Sequence, residues 1–419
     1  MVAIRSAEII AVGSELLTPH RTDTNSLFLS GRLNELGIEV RAKAIVGDDL
    51  GDLADILRQA LGRADLVVIT GGLGPTEDDI TREAVAAVLD RPLFEDAGII
   101  ATLEARFAER GFAMPANNRK QAQVPRGAMV LPNPKGSAPG LWIGHGDRVV
   151  VALPGPPREL QPMFDIGVAP RLAGVTAGRR WRRRTIKLTG RAESQVDEVA
   201  REIYSPLQHA AVPVHTTILA TPGQIELHLA AAGADIAAVD TALDAAVTAL
   251  ATALVPYVFS VDGRSLEAVV GDLLRAKRLR IAVAESCSAG LVLGRLTDVP
   301  GSSEWVVGGI VAYDNEVKVT HLDVSRDLLG AHGAVSEQVA SAMADGVRRR
   351  LGADVGLGIT GVAGPAGGSP EKPVGTVVVA MSGIAPAVRT FRFPGDRQMV
   401  RQFSTAAALD LVRRALLAP

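Results

Sequence analysis

Short, unbroken apolar runs alternate with helical patterns near the start of this chain, and this alternation restricts its fold most strongly. Glu8–Val12 and Asp65–Thr70 are predicted as buried strands, and Asn25–Leu36 between them has the leucine spacing of a helix. Strands that alternate with helices form a parallel sheet with both faces covered. We therefore expect ligands at the carboxyl ends of these strands.

A chain of 419 residues is too long for one hydrophobic core, since such cores stop growing near roughly 250–300 residues. We predict an α/β domain at 1–170, a small α+β domain at 171–260 and a second α/β domain at 261–419. In the middle domain the pattern predicts strands at 185–189, 214–219 and 224–231 and helices at 194–204 and 236–254. In the last domain it predicts helices at 266–277, 290–298, 336–351 and 397–417 and strands at 280–285, 306–312, 355–360 and 374–380.

Composition limits the partners and the compartment. The formal net charge is −2, which gives no overall attraction to nucleic acid or to an anionic membrane. A single cysteine excludes an intramolecular disulfide and suggests a reducing compartment. The N-terminus has no signal-peptide pattern, and no run of about 18 apolar residues is present. These features predict a soluble cytoplasmic protein.

A glycine-rich turn, Gly71–Thr81, follows the second of the buried strands predicted above. Its glycines are Gly71, Gly72 and Gly74. Their backbone amides can form an anion-binding nest ahead of a helix N-terminus. Asp78 and Asp79 are placed to hold a hard cation such as Mg²⁺ beside bound phosphates. The alternative is that Thr76 and Asp79 only cap the helix.

Other short motifs follow the strands of the same predicted sheet. In chain order they are Val12–Leu16 with Glu15, Thr22–Ser26 with Asn25, Pro132–Gly140 and Ala152–Glu159. Together with the glycine-rich turn they resemble the molybdopterin-binding domains of molybdenum cofactor biosynthesis proteins. They also resemble the N-terminal domain of the CinA (competence/damage-inducible protein A) family. The CinA resemblance implies hydrolysis of ADP-ribose with a divalent cation, Mg²⁺, Co²⁺ or Mn²⁺, and the other resemblance leaves a pterin-binding role open.

The stretch Ala284–Gly290 contains two candidate nucleophiles, Ser286 and Cys287. Ser286 ends a predicted strand and begins a helix, whose free N–H groups could stabilise an oxyanion. A catalytic thiol usually needs a histidine to hold its thiolate, and neither His321 nor His332 has a setting that marks it as a base. Cys287 is therefore expected to pack as a small hydrophobic residue.

A serine nucleophile also needs a base, and Lys318 is the candidate because Ser–Lys pairs are a known variant of the catalytic triad. A strand that ends at Tyr313 would return to the sheet edge of Ser286 and bring Lys318 within reach. Burial would favour the neutral amine that a base requires. The alternative is an ordinary solvated lysine.

Six further motifs run in order across the last predicted domain. They are Ala284–Leu291, Leu296–Ser303, Gly309–Lys318, His332–Glu337, Ile359–Pro365 and Glu371–Thr376. They resemble the C-terminal domain of the CinA family, a nicotinamide mononucleotide deamidase without a cofactor. The resemblance implies a catalytic set of Ser286, Lys318 and Ser303. It implies a substrate pocket lined by Tyr313, Thr360 and Arg397, and we expect the substrate phosphate at the loop that contains Gly361 and Gly364.

One residue departs from that family pattern, which usually reads Glu-Ser-Cys-Thr-Gly-Gly. This chain has Ser288, which keeps the hydroxyl, and Ala289, which replaces a glycine. If this backbone position needs a positive φ, the alanine methyl group costs stability.

The basic run Arg179–Arg184 has the composition of a phosphate-binding segment. The family's middle domain resembles a KH fold, but Gly190–Glu193 lacks the Gly-x-x-Gly that clamps nucleic acid. We therefore expect a solvated linker or a strand paired across a dimer. We expect nucleotides as ligands, a homodimer, and neither nucleic acid nor membrane as a partner. A non-catalytic scaffold in DNA uptake or recombination is the alternative.

Overall fold

The computed structural model describes residues 3–176 and 178–418. These residues form two compact units. The first extends to Arg182 and includes Ala232–Asp240, and the second comprises Arg183–Ala231 and the chain from Thr241 onward. The boundaries of the three domains stay a prediction.

An α/β sheet forms most of the first unit. The strands of this unit are β1 (Ser6–Val12), β2 (Glu39–Val46), β3 (Leu66–Thr70), β4 (Leu93–Glu95), β5 (Gln123–Pro125), β6 (Met129–Leu131), β7 (Gly140–His145) and β8 (Arg148–Leu153), of which β4 and β5 pair with each other in a separate two-stranded sheet. Its helices are α1 (Thr24–Glu35), α2 (Leu50–Arg63), α3 (Thr81–Val88), α4 (Ala97–Ala108), α5 (Pro157–Met163) and α6 (Ala169–Ala173). The sheet order is β2-β1-β3-β8-β7-β6, in which the first four strands are parallel, β7 pairs antiparallel with β8, and β6 pairs antiparallel with β7.

Both faces of this sheet are covered, as the sequence predicts for a parallel sheet. All five residues of β3 are buried. Val67 and Ile69 belong to one hydrophobic cluster, and Leu66 and Val68 belong to a second. Because side chains alternate along a strand, the two clusters lie on opposite faces. The glycine-rich turn follows the carboxyl end of β3.

A smaller four-stranded sheet follows. Its elements are β9 (Arg180–Thr189), α7 (Glu193–Leu207), β10 (His215–Thr221), β11 (Gln224–Gly233), α8 (Ile236–Ala253) and β12 (Val258–Ser260), and its strand order is β10-β11-β9-β12. The basic run Arg179–Arg184 is therefore mostly the beginning of β9, and the interpretation as a linker is wrong. Half-exposed arginines are compatible with a strand because their apolar stems can lie along the sheet.

Helix α8 has the length and composition of a membrane span, with a mean hydropathy of 1.4. The sequence analysis predicts no membrane span, and Asp240 and Asp244 do interrupt the apolar sequence of this helix. Its buried residues are Val239, Leu243, Ala246 and Leu250. A repeat of three and four residues is the pattern of a helix that buries one face in a protein core.

The last part of the chain is a second α/β sheet. Its strands are β13 (Ile281–Glu285), β14 (Val306–Val311), β15 (Val355–Gly361), β16 (Thr376–Gly383) and β17 (Ala387–Arg392). Its helices are α9 (Leu266–Lys277), α10 (Leu291–Thr297), α11 (Asn315–Leu322), α12 (Arg326–His332), α13 (Glu337–Leu351) and α14 (Arg397–Leu417). The order is β14-β13-β15-β16-β17, in which β14, β13 and β15 are parallel, β16 pairs antiparallel with β15, and β17 pairs antiparallel with β16. The mixed α/β fold class is thus confirmed.

Candidate functional site

Ser286 lies at the carboxyl end of β13, where the chain turns toward α10. The residue is 9% exposed, and its backbone N–H donates to the Ile359 carbonyl at 2.9 Å. This bond fixes the turn against the neighbouring strand β15. The predicted nucleophile therefore lies at the edge of the sheet where α/β proteins bind ligands.

The Glu285 carboxylate occupies the N-terminus of α10. It is buried and accepts hydrogen bonds from the backbone N–H groups of Gly290 (2.9 Å), Val292 (3.2 Å) and Leu293 (2.9 Å). Amides and the helix dipole stabilise a carboxylate at this position. The expectation that free amides of this helix surround Ser286 is therefore wrong for these three groups.

Lys318 lies on α11, a helix that the sequence analysis missed. Its residue is only 1% exposed, and its Nζ donates to the Tyr313 carbonyl at 3.3 Å. Among the described residues, no carboxylate forms an ion pair with it. Burial lowers the pKa of Lys318, and the nearby Asp314 and Cys287 offset this only in part. The interpretation as a solvated lysine is wrong, and the buried amine has the property that a general base needs.

Cys287 belongs to the hydrophobic core of the second α/β sheet and is 4% exposed. Burial raises the pKa of its thiol to about 12. A thiol with such a pKa is protonated at neutral pH and is therefore a poor nucleophile. This agrees with its predicted packing role.

Three predicted substrate contacts, Tyr313, Gly364 and Arg397, lie together. The Arg397 guanidinium donates from Nη2 to the Tyr313 hydroxyl (2.6 Å) and from Nη1 to the Gly364 carbonyl (2.8 Å). The Tyr313 residue is 58% exposed, so its ring is available to a ligand. Because Lys318 binds the Tyr313 carbonyl, these residues and the predicted base form one connected group.

Thr360 and Gly361 lie at the end of β15 and contact other parts of the fold. Thr360 is buried, and its hydroxyl donates to the Ala334 carbonyl at 2.8 Å. A Cβ atom on Gly361 would lie 2.8 Å from the Thr376 carbonyl oxygen, so the glycine allows close strand packing. The Thr360 hydroxyl is thus already used within the protein.

The structure does not bring Ser303 to Ser286 within one chain. Ser303 is exposed in a short turn, Ser302–Glu304, that precedes β14. Strands β13 and β14 are parallel, with Ile281 opposite Val306, so the two serines lie at opposite ends of the strand pair. At about 3.3 Å per residue, five residues separate these ends by roughly 16 Å.

Arg401 is a residue near this site that the sequence analysis missed. Its Nη2 donates to the Ser288 carbonyl at 2.9 Å, and its Nε is buried without a hydrogen-bond partner. The Ser288 hydroxyl is also buried without a partner. Arg401 lies one turn after Arg397 on α14, and the i, i+4 spacing of two arginines at a helix start was the available signal.

A second candidate site is a cavity of ≈ 530 Å³ at the carboxyl ends of β1, β3 and β8. Its lining includes every residue predicted for the N-terminal site except Thr76, namely Glu15, Asn25, Gly71, Gly72, Gly74, Asp78 and Asp79. Gly71 and Gly72 have φ values of 102° and 64°. Only glycine adopts such values without strain, so the turn depends on both.

Asp79 and Thr76 brace the glycine-rich turn. The Asp79 carboxylate accepts from the backbone N–H groups of Gly74 (2.7 Å) and Thr76 (2.9 Å) and from the Thr76 hydroxyl (2.5 Å). Helix α3 begins later, at Thr81, and Ile80 precedes it without a side-chain cap. The interpretation that Thr76 and Asp79 cap this helix is therefore wrong.

Asp78 is the neighbouring carboxylate at the cavity. The Thr76 hydroxyl, and more weakly Lys120, lower the pKa of Asp78, so its side chain is ionised at neutral pH. In the described part of the chain, no group of three or more His, Cys, Asp or Glu side chains could enclose a metal ion. A cation held by one carboxylate and by substrate phosphates fits this arrangement, and Mg²⁺ is commonly bound in this way.

Asn25 supplies an unpaired acceptor at the same cavity. Its Nδ2 donates to the Thr70 hydroxyl (3.1 Å) and to the Gly155 carbonyl, whereas its Oδ1 is buried without a partner. A buried acceptor without a donor costs about 1–3 kcal/mol. A ligand hydroxyl or N–H group would satisfy it.

Arg82 lies beneath the glycine-rich turn and was also missed. It is fully buried, and its guanidinium donates to the carbonyls of Leu73 (2.7 Å) and Gly74 (3.4 Å). Burial lowers its pKa to about 10, so it still carries a positive charge at neutral pH. This charge favours an anion above the turn.

Known protein families match both the N-terminal and the C-terminal part of the chain. Residues 263–416 match the family described as CinA C-terminal domain, and residues 8–174 match the probable molybdopterin binding domain. The chain is 46% identical over 418 residues to a CinA-like protein of Acidobacterium capsulatum, which covers 98% of this chain and 100% of the relative. It is 44% identical over 416 residues to a CinA-like protein of Koribacter versatilis, with coverage of 98% and 100%.

Solved structures match smaller parts of the chain. The protein CinA with unknown function from Thermoplasma acidophilum is 35% identical with a TM-score of 0.37, and it covers 39% of this chain and 95% of that chain. The competence/damage inducible protein CihA from Agrobacterium tumefaciens is 36% identical with a TM-score of 0.35. The match covers 36% of this chain and 93% of that chain. On the full-length identity to its relatives, the chain belongs to the CinA family of competence/damage-inducible proteins.

Proposed function

We propose that the C-terminal α/β domain hydrolyses nicotinamide mononucleotide to nicotinate mononucleotide and ammonia. The observation that carries this proposal is Lys318, a buried amine with a lowered pKa and no carboxylate partner among the described residues, in contact with the Tyr313 carbonyl. Amide hydrolysis by a serine requires such a base. Because Ser303 lies at the other end of the strand pair, the base acts on Ser286 without the chain's own Ser303.

The proposed reaction has two steps. The neutral Lys318 amine takes the proton of the Ser286 hydroxyl as its oxygen attacks the carboxamide carbon, and the proton then passes to the leaving nitrogen. The C–N bond breaks, ammonia departs, and an ester joins Ser286 to the substrate carbonyl. Water then attacks this ester, Lys318 accepts the water proton, and the proton returns to the Ser286 oxygen as nicotinate mononucleotide leaves.

The surroundings fit the two ends of this substrate. The exposed Tyr313 ring offers a π-face to the cationic pyridinium ring, an attraction of about 0.5–2 kcal/mol. Arg397 and Arg401 supply cations for the 5′-phosphate. Arg401 already has a buried Nε without a partner.

The experiment is ammonia release from nicotinamide mononucleotide by the wild type, Ser286→Ala and Cys287→Ala. We expect release by the wild type and by Cys287→Ala, which is the matched control one residue away. We expect Ser286→Ala to lose at least about 10³-fold in kcat. Loss of release only in Cys287→Ala would reject the serine mechanism, and no release by folded wild type would reject the function.

For the N-terminal domain we propose hydrolysis of ADP-ribose to AMP and ribose 5-phosphate with a divalent cation. The positive Arg82 beneath the glycine-rich turn and the unpaired Asn25 acceptor support a ligand with both phosphates and hydroxyl groups. Asp78 would hold Mg²⁺, Co²⁺ or Mn²⁺, and the cation would supply charge neutralisation at the pyrophosphate. The glycine-rich turn would position the phosphates, and the Asn25 Oδ1 would accept a hydrogen bond from a ribose hydroxyl.

Two neighbouring substitutions test this assignment. Asp78→Asn should abolish metal-dependent ADP-ribose hydrolysis without a change in melting temperature, because Asp78 is exposed. Asp79→Asn should lower the melting temperature, since its carboxylate accepts three hydrogen bonds. Full activity in Asp78→Asn would remove Asp78 as the ligand. Tight pterin binding without ADP-ribose turnover would instead favour the molybdopterin role, and salt-sensitive duplex binding would favour the scaffold.

A further inference from the structure

A large cavity of ≈ 920 Å³ lies in the second compact unit, and no step of the proposed reactions uses it. One wall is a face of β17, formed by the alternate residues Ala387, Arg389 and Phe391, followed by Phe393. A second wall is a stripe of α14 from Phe403 to Arg414. Loops from the smaller sheet, at 189–195 and 220–225, form the rest.

The smaller sheet is held firmly against α14. Gly223 has a φ of 83°, and a Cβ atom there would lie 2.6 Å from the Ala406 Cβ, so only glycine permits this approach. The Gly223 carbonyl accepts from the Thr189 hydroxyl (2.7 Å), and Arg413 donates to the Pro256 carbonyl (3.1 Å). These contacts position the loops that form part of the cavity wall.

Aromatic rings form one side of the cavity. Phe391 and Phe393 stack with centroids 5.3 Å apart, and Phe393 and Phe403 stack at 5.4 Å, with interplanar angles of 12° and 13°. All three rings line the cavity. A ladder of parallel rings can extend to a further planar ring, and stacking of a base on an aromatic side chain contributes about 1–3 kcal/mol.

Two arginines add positive charge to the cavity lining. Arg191, from the loop at 189–195, and Arg389, on the β17 wall, form no ion pair with a carboxylate in the described part of the chain. The Arg191 guanidinium lies 4.3 Å from the centroid of the Tyr257 ring. The buried lining carboxylate, Asp410, is already neutralised by ion pairs with Arg413 (2.7 Å) and Arg414 (2.6 Å).

We propose that this cavity is a third nucleotide-binding site, separate from both candidate active sites. The base stacks on the phenylalanine ladder, and the phosphate binds Arg191 and Arg389 as charge-assisted hydrogen bonds. The cavity volume lies within the range of about 300–1,000 Å³ that small-molecule sites occupy. A single apolar ligand would leave the two arginines unused, and a free anion would leave the rings unused.

Photolabelling of the full-length protein with 8-azido-AMP, followed by peptide mapping, tests the proposal. We expect labelled peptides from 189–195 or 385–415, which separates this site from any labelling at the N-terminal cavity. Arg191→Ala should reduce that labelling at least about tenfold, since it removes a charge-assisted contact. Arg350→Ala, an exposed arginine on α13 that does not line the cavity, is the matched control and should leave it unchanged.

Competition identifies the ligand class. AMP should displace the label at concentrations at which neither adenosine nor inorganic phosphate does, because both the ring and the anion are needed. Equal competition by phosphate alone or by adenosine alone would overturn the nucleotide assignment. So would labelling confined to other peptides, or labelling of Arg191→Ala at the wild-type level.

Discussion

At the scale of single residues, Ala289 carries backbone strain beside the proposed nucleophile. Its φ is 52°, which confirms the concern that a residue other than glycine is strained here. The left-handed region destabilises a folded residue other than glycine by about 1–2 kcal/mol. Substitution by glycine removes this strain, but it also stabilises the unfolded chain by roughly 0.5–1 kcal/mol, because glycine makes that chain more flexible. We therefore expect Ala289→Gly to raise the free energy of unfolding by up to about 1 kcal/mol.

Chemical denaturation measures this change. Ala385→Gly is a matched control, since Ala385 also has a positive φ, 47°, and lies away from the Ser286 turn. Both variants should gain stability, whereas only Ala289→Gly should change the rate of ammonia release. A loss of stability in Ala289→Gly would show that the turn does not strain this residue.

Lys318 predicts a definite pH dependence. Its pKa is lowered from the usual 10.5 by burial, and the base is active when neutral. The value of kcat/KM should therefore rise with pH through the lowered pKa and reach a plateau below pH 10.5. A rate that rises only at the ordinary lysine pKa would contradict the assignment.

The same lowered pKa affects stability. The unfolded chain binds a proton at Lys318 that the folded chain binds less readily, so the free energy of unfolding rises with pH between the folded pKa and 10.5. Below the folded pKa both states hold the proton, so this pH dependence ends there. Lys318→Met should remove this dependence and stabilise the protein at neutral pH, which denaturation at several pH values would measure.

At the residue scale, the motifs indicate Ser286 and Lys318, and the family resemblance adds Tyr313 and Arg397. The structure places Lys318, Tyr313 and Arg397 in contact, and their roles stay a prediction. Arg82, Glu285 and Arg401 were missed because their roles arise from contacts with backbone groups. For Arg401 that group is 113 residues away in the chain, and no local pattern encodes such proximity.

At the scale of elements, the turn from β13 into α10 depends on Glu285. One buried carboxylate accepts three amide hydrogen bonds there, and a glutamine has only one acceptor oxygen. Glu285→Gln should lower the free energy of unfolding by about 1–3 kcal/mol and reduce ammonia release, because the turn holds Ser286. Unchanged stability in Glu285→Gln would show that water can replace the carboxylate. The control is Glu267→Gln, which alters a partly exposed ion pair away from this turn.

The elements that sequence reasoning missed are short or weakly patterned. Helix α11 has eight residues, of which only Lys318 and Leu322 are buried, so it has almost no apolar face. Strand β17 reads AVRTFR and has no fully buried residue. The displacement of Ser303 from Ser286 follows from the parallel pairing of β13 and β14, which depends on topology and not on spacing along the chain.

At the scale of the whole molecule, the two candidate active sites use residues of different compact units. We therefore expect the two activities to be separable. Ser286→Ala should abolish ammonia release and leave ADP-ribose hydrolysis within about twofold of the wild type, and Asp78→Asn should do the reverse. Assays of both reactions on the same preparations measure this. Loss of both activities in a folded single variant would contradict independent sites.

The fold class of both α/β sheets was predictable at this scale because buried parallel strands give continuous apolar runs. The division into two compact units was not predictable from the sequence. The residues of the smaller sheet and its helices divide between the two units, and this division depends on tertiary packing.

The central claim is that Ser286 forms a covalent ester with the substrate carbonyl, and trapping this ester tests it most directly. Protein quenched in acid during turnover of nicotinamide mononucleotide would be digested, and the peptide that contains Ser286 and Cys287 fragmented by mass spectrometry. The account predicts the adduct on Ser286, present in Cys287→Ala and absent from Ser286→Ala. An adduct on Cys287, or rapid ammonia release from a Ser286→Ala protein, would contradict it.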